Sequence, residues 1–220
     1  MIAEAGSTHD GSWAAALRLV TLAQEIGADA CKFQWTSSPE RLAARRRALA
    51  YVAAYRLIAF PPAWLPCLAE ACAAAKLEFL CTVYLPDDIR VVAPLVQRFK
   101  VASFEAGDGA FLAAHAGKPR IISTGMMSAR DVAQVALHEG DALLHCVSAY
   151  PAPVEAMNLR AIRALRAPTI AVGLSDHSGH SWTGALAVAA GAALIEFHVR
   201  LDETDPRNAD YAVARSPREA

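Results

Sequence analysis

Two lysines and a group of hydroxyl side chains lie within or just after short apolar segments of the sequence. Lys32 belongs to the segment Ala30–Gln34, and Lys100 belongs to Phe99–Ser103. Lysine ammonium groups attract phosphate and carboxylate groups as point charges, and hydroxyl groups add directed hydrogen-bond donors. The accompanying hydroxyl residues are Thr82, Ser103, Ser123, Ser148 and Ser175. This combination predicts a site for a phosphate, or for a ligand that carries both a phosphate and a carboxylate.

Two histidines, His177 and His198, stand at the ends of two successive apolar segments. Neighbouring strands of a sheet lie about 4.8 Å apart, so both imidazoles could reach one divalent ion. Two histidine ligands leave positions open for water and a substrate oxygen, as a catalytic metal requires. The pair therefore predicts a metal site.

The elements that must position these residues alternate between apolar strands and amphipathic helices. The predicted strands are Ile2–Ala5, Ala30–Gln34, Glu78–Val83, Phe99–Ser103, Arg120–Thr124, Ala142–Val147, Thr169–Leu174 and Leu194–Val199. Eight such units predict a short (β/α)₈ TIM barrel, with an open doubly wound sheet as the alternative. No Gly-x-Gly-x-x-Gly follows a strand, which argues against dinucleotide binding. In a barrel, all of the polar strand ends meet at one rim.

Helix boundary signals support this interpretation. Ser12 and Ser128 are predicted N-caps, and Gly27 and Gly140 are predicted to end the same two helices. Pro61-Pro62 is predicted to precede the second helix. After the last strand, Leu201–Ala220 shows no helical pattern, so we expect the eighth helix to be missing or reduced and the seam beside the first strand to be uncovered. The basic run Arg41, Arg45, Arg46 and Arg47 is predicted to be a solvated helix face.

Composition limits the function classes further. The 220 residues are 55% hydrophobic and 20% charged with a net charge of −1, which excludes a disordered chain and gives no sign of a nucleic-acid partner. No apolar run is long enough to span a membrane, and the N-terminus does not resemble a signal peptide. The five cysteines contain no Cys-x-x-Cys, which is typical of reduced thiols in a cytoplasmic protein. We expect one domain over residues 1–220.

Several short stretches of the chain form an ordered set of motifs. They are Ile2-Ala3-Glu4-Ala5-Gly6, His9-Asp10-Gly11-Ser12, Gly27-Ala28-Asp29-Ala30-Cys31-Lys32-Phe33-Gln34, Lys100-Val101-Ala102-Ser103-Phe104-Glu105, Gly117-Lys118-Pro119, Ser123-Thr124-Gly125-Met126, Leu143-Leu144-His145-Cys146, Tyr150-Pro151-Ala152-Pro153, Asn158-Leu159, Gly173-Leu174-Ser175-Asp176-His177 and Ile195-Glu196-Phe197-His198. Their sequences and order resemble the sialic acid synthase family, the nonulosonic acid synthases, and the resemblance runs from Ile2 to about Glu219. The forms Ala102-Ser103-Phe104-Glu105 and Ser148-Ala149-Tyr150-Pro151-Ala152-Pro153 are closest to the pseudaminic acid branch of that family.

The resemblance implies a reaction and roles for individual residues. Such enzymes condense phosphoenolpyruvate with the aldehyde of an N-acylated amino sugar, release phosphate and use a divalent metal, Mn²⁺ or Mg²⁺. His177 and His198 would hold the metal, and Glu105 would be the general base or would orient the attacking water, in a catalytic group with Glu4, Lys32 and Lys100. Phosphoenolpyruvate would contact the two lysines with Thr82, Ser103, Ser123 and Ser175. The remaining substrate-binding residues would be Gln34, Ser148, Tyr150, Asp176 and Asp210.

The sequence also departs from the family pattern. Thr8 stands where the family has asparagine, Phe197 where it has lysine, and Asn208-Ala209-Asp210 where it has Gly-Pro-Asp. We find no counterpart of the family's C-terminal antifreeze-like domain, which supplies an arginine to the sugar site across a homodimer. A homodimer is therefore an open expectation. Two alternatives stay open: the same chemistry on a smaller aldehyde, or an inactive regulatory subunit.

Overall fold

Eight parallel strands close into a barrel in chain order in the computed structural model, which describes residues 1–115, 117–166 and 168–220. Pairing of the last strand with the first completes the ring. The strands are β1 Ile2–Gly6, β2 Ala30–Trp35, β3 Glu78–Val83, β4 Phe99–Val101, β5 Arg120–Ser123, β6 Ala142–His145, β7 Ala171–Asp176 and β8 Leu194–His198. The predicted barrel is confirmed, and the open-sheet alternative is wrong.

The helices that surround the barrel are short. They are α1 Trp13–Glu25, α2 Pro39–Arg45, α3 Val52–Arg56, α4 Trp64–Ala74, α5 Pro86–Val92, α6 Gly109–Ala114, α7 Ala129–Val132, α8 Arg160–Ala164 and α9 Thr183–Ala189, with 3₁₀ turns at Leu49–Tyr51, Ala93–Leu95 and Val154–Ala156. The chain thus makes two extra helices, α2 and α3, between β2 and α4. The helix that Pro61-Pro62 precedes is therefore the fourth and not the second.

Both predicted N-caps are present. The Ser12 hydroxyl accepts a hydrogen bond from the backbone N–H of Ala15, and Ser128 forms a capping box with Asp131. Gly27, with a φ of +72°, follows the end of α1 as predicted. Gly140 does not end α7, because that helix stops at Val132 and the intervening residues form turns.

Side chains inside the barrel form an apolar layer beneath a polar one. The lower layer consists of Ile2, Ala30, Leu80, Ile121, Ala142 and Leu144, with Leu194 packed against them. Because alternate residues of a strand face the same side, the residue two positions further along also points into the barrel. On β1, β2 and β8 these residues are Glu4, Lys32 and Glu196. The barrel interior therefore turns from apolar to charged towards the carboxyl ends of its strands.

The last 22 residues, 199–220, contain no helix, as predicted, but the seam beside β1 is not left open. The hydroxyl of Thr8 donates to the carbonyl oxygen of Val199, and the hydroxyl of Thr204 donates to the carbonyl oxygen of Thr8. Asn208 donates to the carbonyl oxygen of Ser7. This tail therefore packs against the loop that follows β1.

Two further observations concern the described part of the chain. None of its helices is long and apolar enough to cross a membrane. All five cysteines are free thiols, of which only Cys67 is exposed.

Candidate active site

A cavity of about 480 Å³ opens at the carboxyl ends of the strands. It collects nearly all of the residues that the sequence singled out. Those that line it are Glu4, Lys32, Gln34, Thr82, Lys100, Ser103, Ser123, Ser148, Tyr150, Ser175, His177, His198 and Asp210. Two predicted site residues, Glu105 and Asp176, do not line it.

Lys32 lies at the floor of the cavity between two carboxylates. Its ammonium group forms an ion pair with Glu4, lies 3.6 Å from a Glu196 oxygen and donates to the Thr82 hydroxyl over 3.3 Å. Strand register explains this, because Lys32 pairs with Glu4 on β1. Burial lowers the pKa of Lys32 to about 8, although the negative charge of Glu196 opposes that shift. Lys32 is therefore a buried cation that is mostly protonated at neutral pH and loses its charge as the pH rises through about 8.

Lys100 supplies a second cation on the opposite side of Glu196. Its ammonium group donates to the Ser123 hydroxyl over 2.8 Å and lies 3.7 Å from a Glu196 oxygen. The Ser175 hydroxyl donates to the same carboxylate over 2.8 Å. Burial alone would raise the pKa of Glu196, but the charges of Lys100 and Lys32 lower it to about 2. Glu196 is thus an ionised carboxylate that lies between the two ammonium groups.

The two histidines face each other across the cavity, with ring centroids 5.6 Å apart. His177 Nδ1 lies 2.7 Å from the carbonyl oxygen of Val147. A carbonyl oxygen can only accept, so this bond places the proton on Nδ1 and leaves the Nε2 lone pair towards Tyr150, whose hydroxyl lies 3.1 Å away. Burial lowers the pKa of His177 to about 4 and also lowers that of His198. Both imidazoles are therefore neutral at physiological pH.

These two neutral imidazoles fit a divalent ion. His198 Nδ1 is buried without a hydrogen-bond partner, and the Asp210 carboxylate is 3.8 Å from it. Unpaired buried ring nitrogens are costly unless something binds them. Across residues 1–115, 117–166 and 168–220, no group of three or more His, Cys, Asp or Glu side chains is arranged to hold a metal. The protein would supply two nitrogen ligands, leaving the remaining positions to water and substrate.

Asp210 reaches the cavity from the tail rather than from a strand. Its Oδ2 accepts hydrogen bonds from the Ser7 hydroxyl over 2.8 Å and from the Ser7 backbone N–H over 3.2 Å. The backbone N–H of Asp210 donates to the Asn208 side chain. The departure from the family pattern at residues 208–210 therefore leaves Asp210 at the cavity wall.

Glu105 lies outside the cavity and is paired with Arg46, which the sequence predicted to be solvated. Arg46 Nε and Nη2 donate to the two Glu105 oxygens over 2.9 Å and 2.8 Å. The Arg46 side chain is only 12% exposed and lines the cavity. The prediction of a solvated helix face is therefore wrong for Arg46, because the chain turns back over the barrel after α2.

Asp176 belongs to a buried cluster that ties the tail to β7. Its carboxylate accepts hydrogen bonds from Arg215, Thr183 and Ser178. The side chain is 1% exposed. This placement disagrees with its prediction as a substrate-binding residue, since its oxygens already have partners within the protein.

An aromatic group at the cavity mouth was not predicted from the sequence. Tyr51, Tyr55, Tyr84 and Phe104 line the cavity, and the Tyr84 hydroxyl donates to the Gln34 side chain over 2.6 Å. No local pattern marks these residues, because Tyr51 and Tyr55 reach the cavity only through the extra helical segment. The basic run was the one signal in that segment.

The chain is similar in sequence to several known proteins. The sequence matches the NeuB family over residues 19–220. It is 35% identical over 242 residues to the spore coat polysaccharide biosynthesis protein SpsE of Bacillus subtilis, covering 100% of this chain and 64% of that protein. It is 31% identical over 228 residues to a pseudaminic acid synthase of Campylobacter jejuni, covering 93% of this chain and 66% of the relative. The chain thus spans about two thirds of the length of these relatives.

A solved structure shows the same fold. The N-acetylneuraminic acid (sialic acid) synthetase of Leptospira borgpetersenii, in complex with citrate, superposes with a TM-score of 0.89 at 31% identity. The match covers 99% of this chain and 78% of that one. Given the match over residues 19–220, the closed eight-stranded barrel and the polar cavity at its rim, the chain belongs to the NeuB family.

Proposed function

We propose that this barrel condenses phosphoenolpyruvate with the open-chain aldehyde of an N-acylated amino sugar to give a nonulosonic acid. The enol carbon of phosphoenolpyruvate forms a bond to the aldehyde carbon, a water oxygen adds to the neighbouring carbon, and phosphate leaves by C–O cleavage. The observation that carries the proposal is one cavity with two buried lysines, several hydroxyls and two neutral histidines. The names of the pseudaminic acid synthase and sialic acid synthetase relatives support it.

The lysine side of the cavity suits phosphoenolpyruvate. Lys32 and Lys100 are both 3% exposed, so their attraction for an anion is little screened by water. Thr82 and Ser123 accept hydrogen bonds from the two ammonium groups, so each hydroxyl proton can be donated to a ligand. Ser103 and Ser175 complete this set. The phosphate and carboxylate of phosphoenolpyruvate would therefore contact both lysines.

His177 and His198 would hold a divalent ion, Mn²⁺ or Mg²⁺. When bound, such an ion supplies Lewis acidity towards an aldehyde oxygen. The Val147 carbonyl orients the His177 ring, as second-sphere acceptors commonly do for metal-binding histidines. Tyr150 stacks on His177 with ring centroids 4.3 Å apart and keeps that ring in place.

The remaining polar residues suit the acceptor sugar. Gln34, Ser148, Tyr150 and Asp210 line the cavity and offer both hydrogen-bond donors and acceptors to hydroxyl groups. One Glu4 oxygen pairs with Lys32, and the other, Oε1, is buried without a hydrogen-bond partner, which suits a hydroxyl donor. We assign Glu105 a positioning role instead of that of general base, since it does not line the cavity and Arg46 donates to both of its oxygens.

The test is phosphate release from phosphoenolpyruvate by the purified chain with Mn²⁺, with and without N-acetylmannosamine or the diacylated precursor of pseudaminic acid. Sugar-dependent release with a nine-carbon product supports the proposal. Phosphate release that occurs only with smaller aldehydes would show that the acceptor is a smaller aldehyde and not an amino sugar. Binding of phosphoenolpyruvate with no release for any aldehyde would contradict the proposal and favour the inactive subunit.

A further inference from the structure

The segment between β2 and α4, residues 36–63, folds over the barrel mouth and is anchored at both ends. The backbone N–H of Thr36 donates to the carbonyl oxygen of Ile58, and the Trp35 indole N–H donates to the carbonyl oxygen of Phe60. Leu42 and Ile58 pack on Tyr84 to form a small buried cluster. These contacts make the segment a fixed wall of the cavity rather than a free loop.

This segment places one charged side chain, Arg46, in the cavity wall. The bidentate bond to Glu105 uses one edge of the guanidinium group. Aromatic rings flank its planar surface: the Phe104 and Tyr84 centroids lie 4.6 Å and 4.7 Å from its central carbon, and that of Tyr55 lies 5.7 Å away. Arg46 is therefore held in one orientation by an ion pair and by stacking.

One edge of this guanidinium group remains available. A guanidinium group has five N–H bonds, of which Glu105 accepts one from Nε and one from Nη2. The Tyr55 hydroxyl also lies within hydrogen-bonding reach of the Arg46 side chain and could accept one more. Nη1 therefore keeps at least one N–H for a ligand in the cavity that Arg46 lines. An oriented guanidinium edge is a directed donor for an oxygen acceptor.

The surroundings of this donor indicate which oxygen it suits. The Arg46 charge is matched by the Glu105 charge, so the pair offers a hydrogen bond without excess positive charge, unlike the two lysines. Apolar side chains line the cavity on the same segment, including Ala54 and Ile58, and Phe104 lies against Arg46. A neutral acyl group, with a carbonyl oxygen and a small alkyl substituent, matches a hydrogen-bond donor that lies in an apolar wall.

We propose that Arg46 is a specificity-determining residue that donates from Nη1 to the N-acyl carbonyl oxygen of the acceptor sugar, with the acyl methyl group against Phe104 and Tyr55. This inference rests on the proposed function, because it names the part of the acceptor that this wall recognises.

The test measures binding, so it does not depend on turnover. Titration calorimetry with phosphoenolpyruvate and Mn²⁺ present compares two reduced, open-chain sugars that cannot condense: reduced N-acetylmannosamine and reduced mannose, which lacks the acyl group. We expect the native chain to bind the N-acyl sugar about 10- to 100-fold more tightly, as for a hydrogen bond to a charged group. Arg46→Met should reduce this preference to within about threefold, with phosphoenolpyruvate affinity unchanged within about twofold.

Arg41→Met is the matched control, because Arg41 lies on α2 five residues before Arg46, pairs with Asp87 at the surface and does not line the cavity. It should keep the native preference. Arg46→Lys keeps a cation beside Glu105 and serves if Arg46→Met does not fold; it should lose most of the preference, because it lacks the second oriented edge. If either Arg46 variant kept the native preference for the N-acyl sugar, the inference about Arg46 would be wrong while the proposed function would stand. A native chain that binds phosphoenolpyruvate but neither sugar would overturn the proposed acceptor class and the inference with it.

Discussion

Arg46 and Glu105, which are 59 residues apart in sequence, form two parallel hydrogen bonds of 2.9 Å and 2.8 Å at the edge of the cavity. Burial alone would lower the pKa of Arg46, but the hydrogen bond and the charge of Glu105 raise it above its ordinary value. The arginine therefore stays charged, and both carboxylate oxygens accept hydrogen bonds from it. The pair forms a fixed part of the wall beside the cavity.

We expect Glu105→Gln to raise the KM of the acceptor roughly three- to tenfold while leaving the shape of the pH–rate profile unchanged. Glutamine keeps one of the two hydrogen bonds to Arg46, and a lost neutral hydrogen bond has about this effect on an equilibrium. Steady-state kinetics over a pH range would measure it. A fall in kcat of about 10²- to 10⁴-fold, with loss of the acidic limb, would instead indicate a general base.

Lys100→Met should weaken phosphoenolpyruvate binding by about 10- to 100-fold, the usual effect of losing a charge-assisted hydrogen bond. The side chain lies beside Ser123 and Glu196, so its removal also leaves the Glu196 charge less compensated. Calorimetry without acceptor would measure the affinity. Lys76→Met, at an exposed position outside the cavity, is the control. Equal affinities in the two variants would contradict the anion site.

The pH dependence of phosphoenolpyruvate binding should reflect the deprotonation of Lys32. Burial lowers its pKa to about 8, so the ammonium charge is present below that pH and is lost above it. A phosphate monoester is already doubly ionised above about pH 6. We therefore expect kcat/KM for phosphoenolpyruvate to be near its maximum at about pH 7, to fall to about half near pH 8 and to decline further towards pH 9.5. Lys32→Arg should move this decline to higher pH, and a flat native profile would contradict the assignment.

His177→Ala and His198→Ala should each abolish tight Mn²⁺ binding with little effect on the fold. Each variant removes one of the two imidazole rings, whose centroids lie 5.6 Å apart in the cavity. Electron paramagnetic resonance of free Mn²⁺ would report binding directly, and circular dichroism would report folding. His180→Ala changes an exposed histidine stacked on Trp182 and is the control. Unchanged binding in both cavity variants would refute the metal site.

Asp141→Asn should reduce the free energy of unfolding by about 3–5 kcal/mol, because it leaves the buried Arg120 guanidinium without its partner. Burial opposes ionisation of Asp141, but hydrogen bonds from Arg120 and the His138 backbone N–H hold its pKa below the usual range. This stabilisation is therefore complete above about pH 4 and is lost as the pH falls further. Urea unfolding would measure both effects.

Asp87→Asn is the matched control for this stability prediction, since it disrupts an exposed ion pair with Arg41. We expect its unfolding midpoint to stay close to that of the native chain, because exposed pairs contribute little. Equal destabilisation by the two substitutions would show that burial of the Arg120–Asp141 pair is not what matters.

The strands and most of the cavity could be predicted because they depend on local patterns. Apolar runs of four to six residues marked all eight strands, and the two-residue period of a strand places Lys32 above Ala30 and Ser123 above Ile121. Parallel strands in a closed barrel then bring these side chains to the same rim. The amino-acid sequence by itself therefore determined the barrel, its polar rim and the family.

Only the tertiary structure decided which polar groups pair with each other. Asp210 reaches Ser7 across 203 residues, and Arg46 reaches Glu105 because an extra helical segment turns back over the barrel. Asp176 looks like a rim residue in sequence but is occupied by Arg215 of the tail. Such contacts join residues that are distant along the chain, so no local periodicity records them. They depend on how loops close over the barrel, which is set by packing and charge in the folded state.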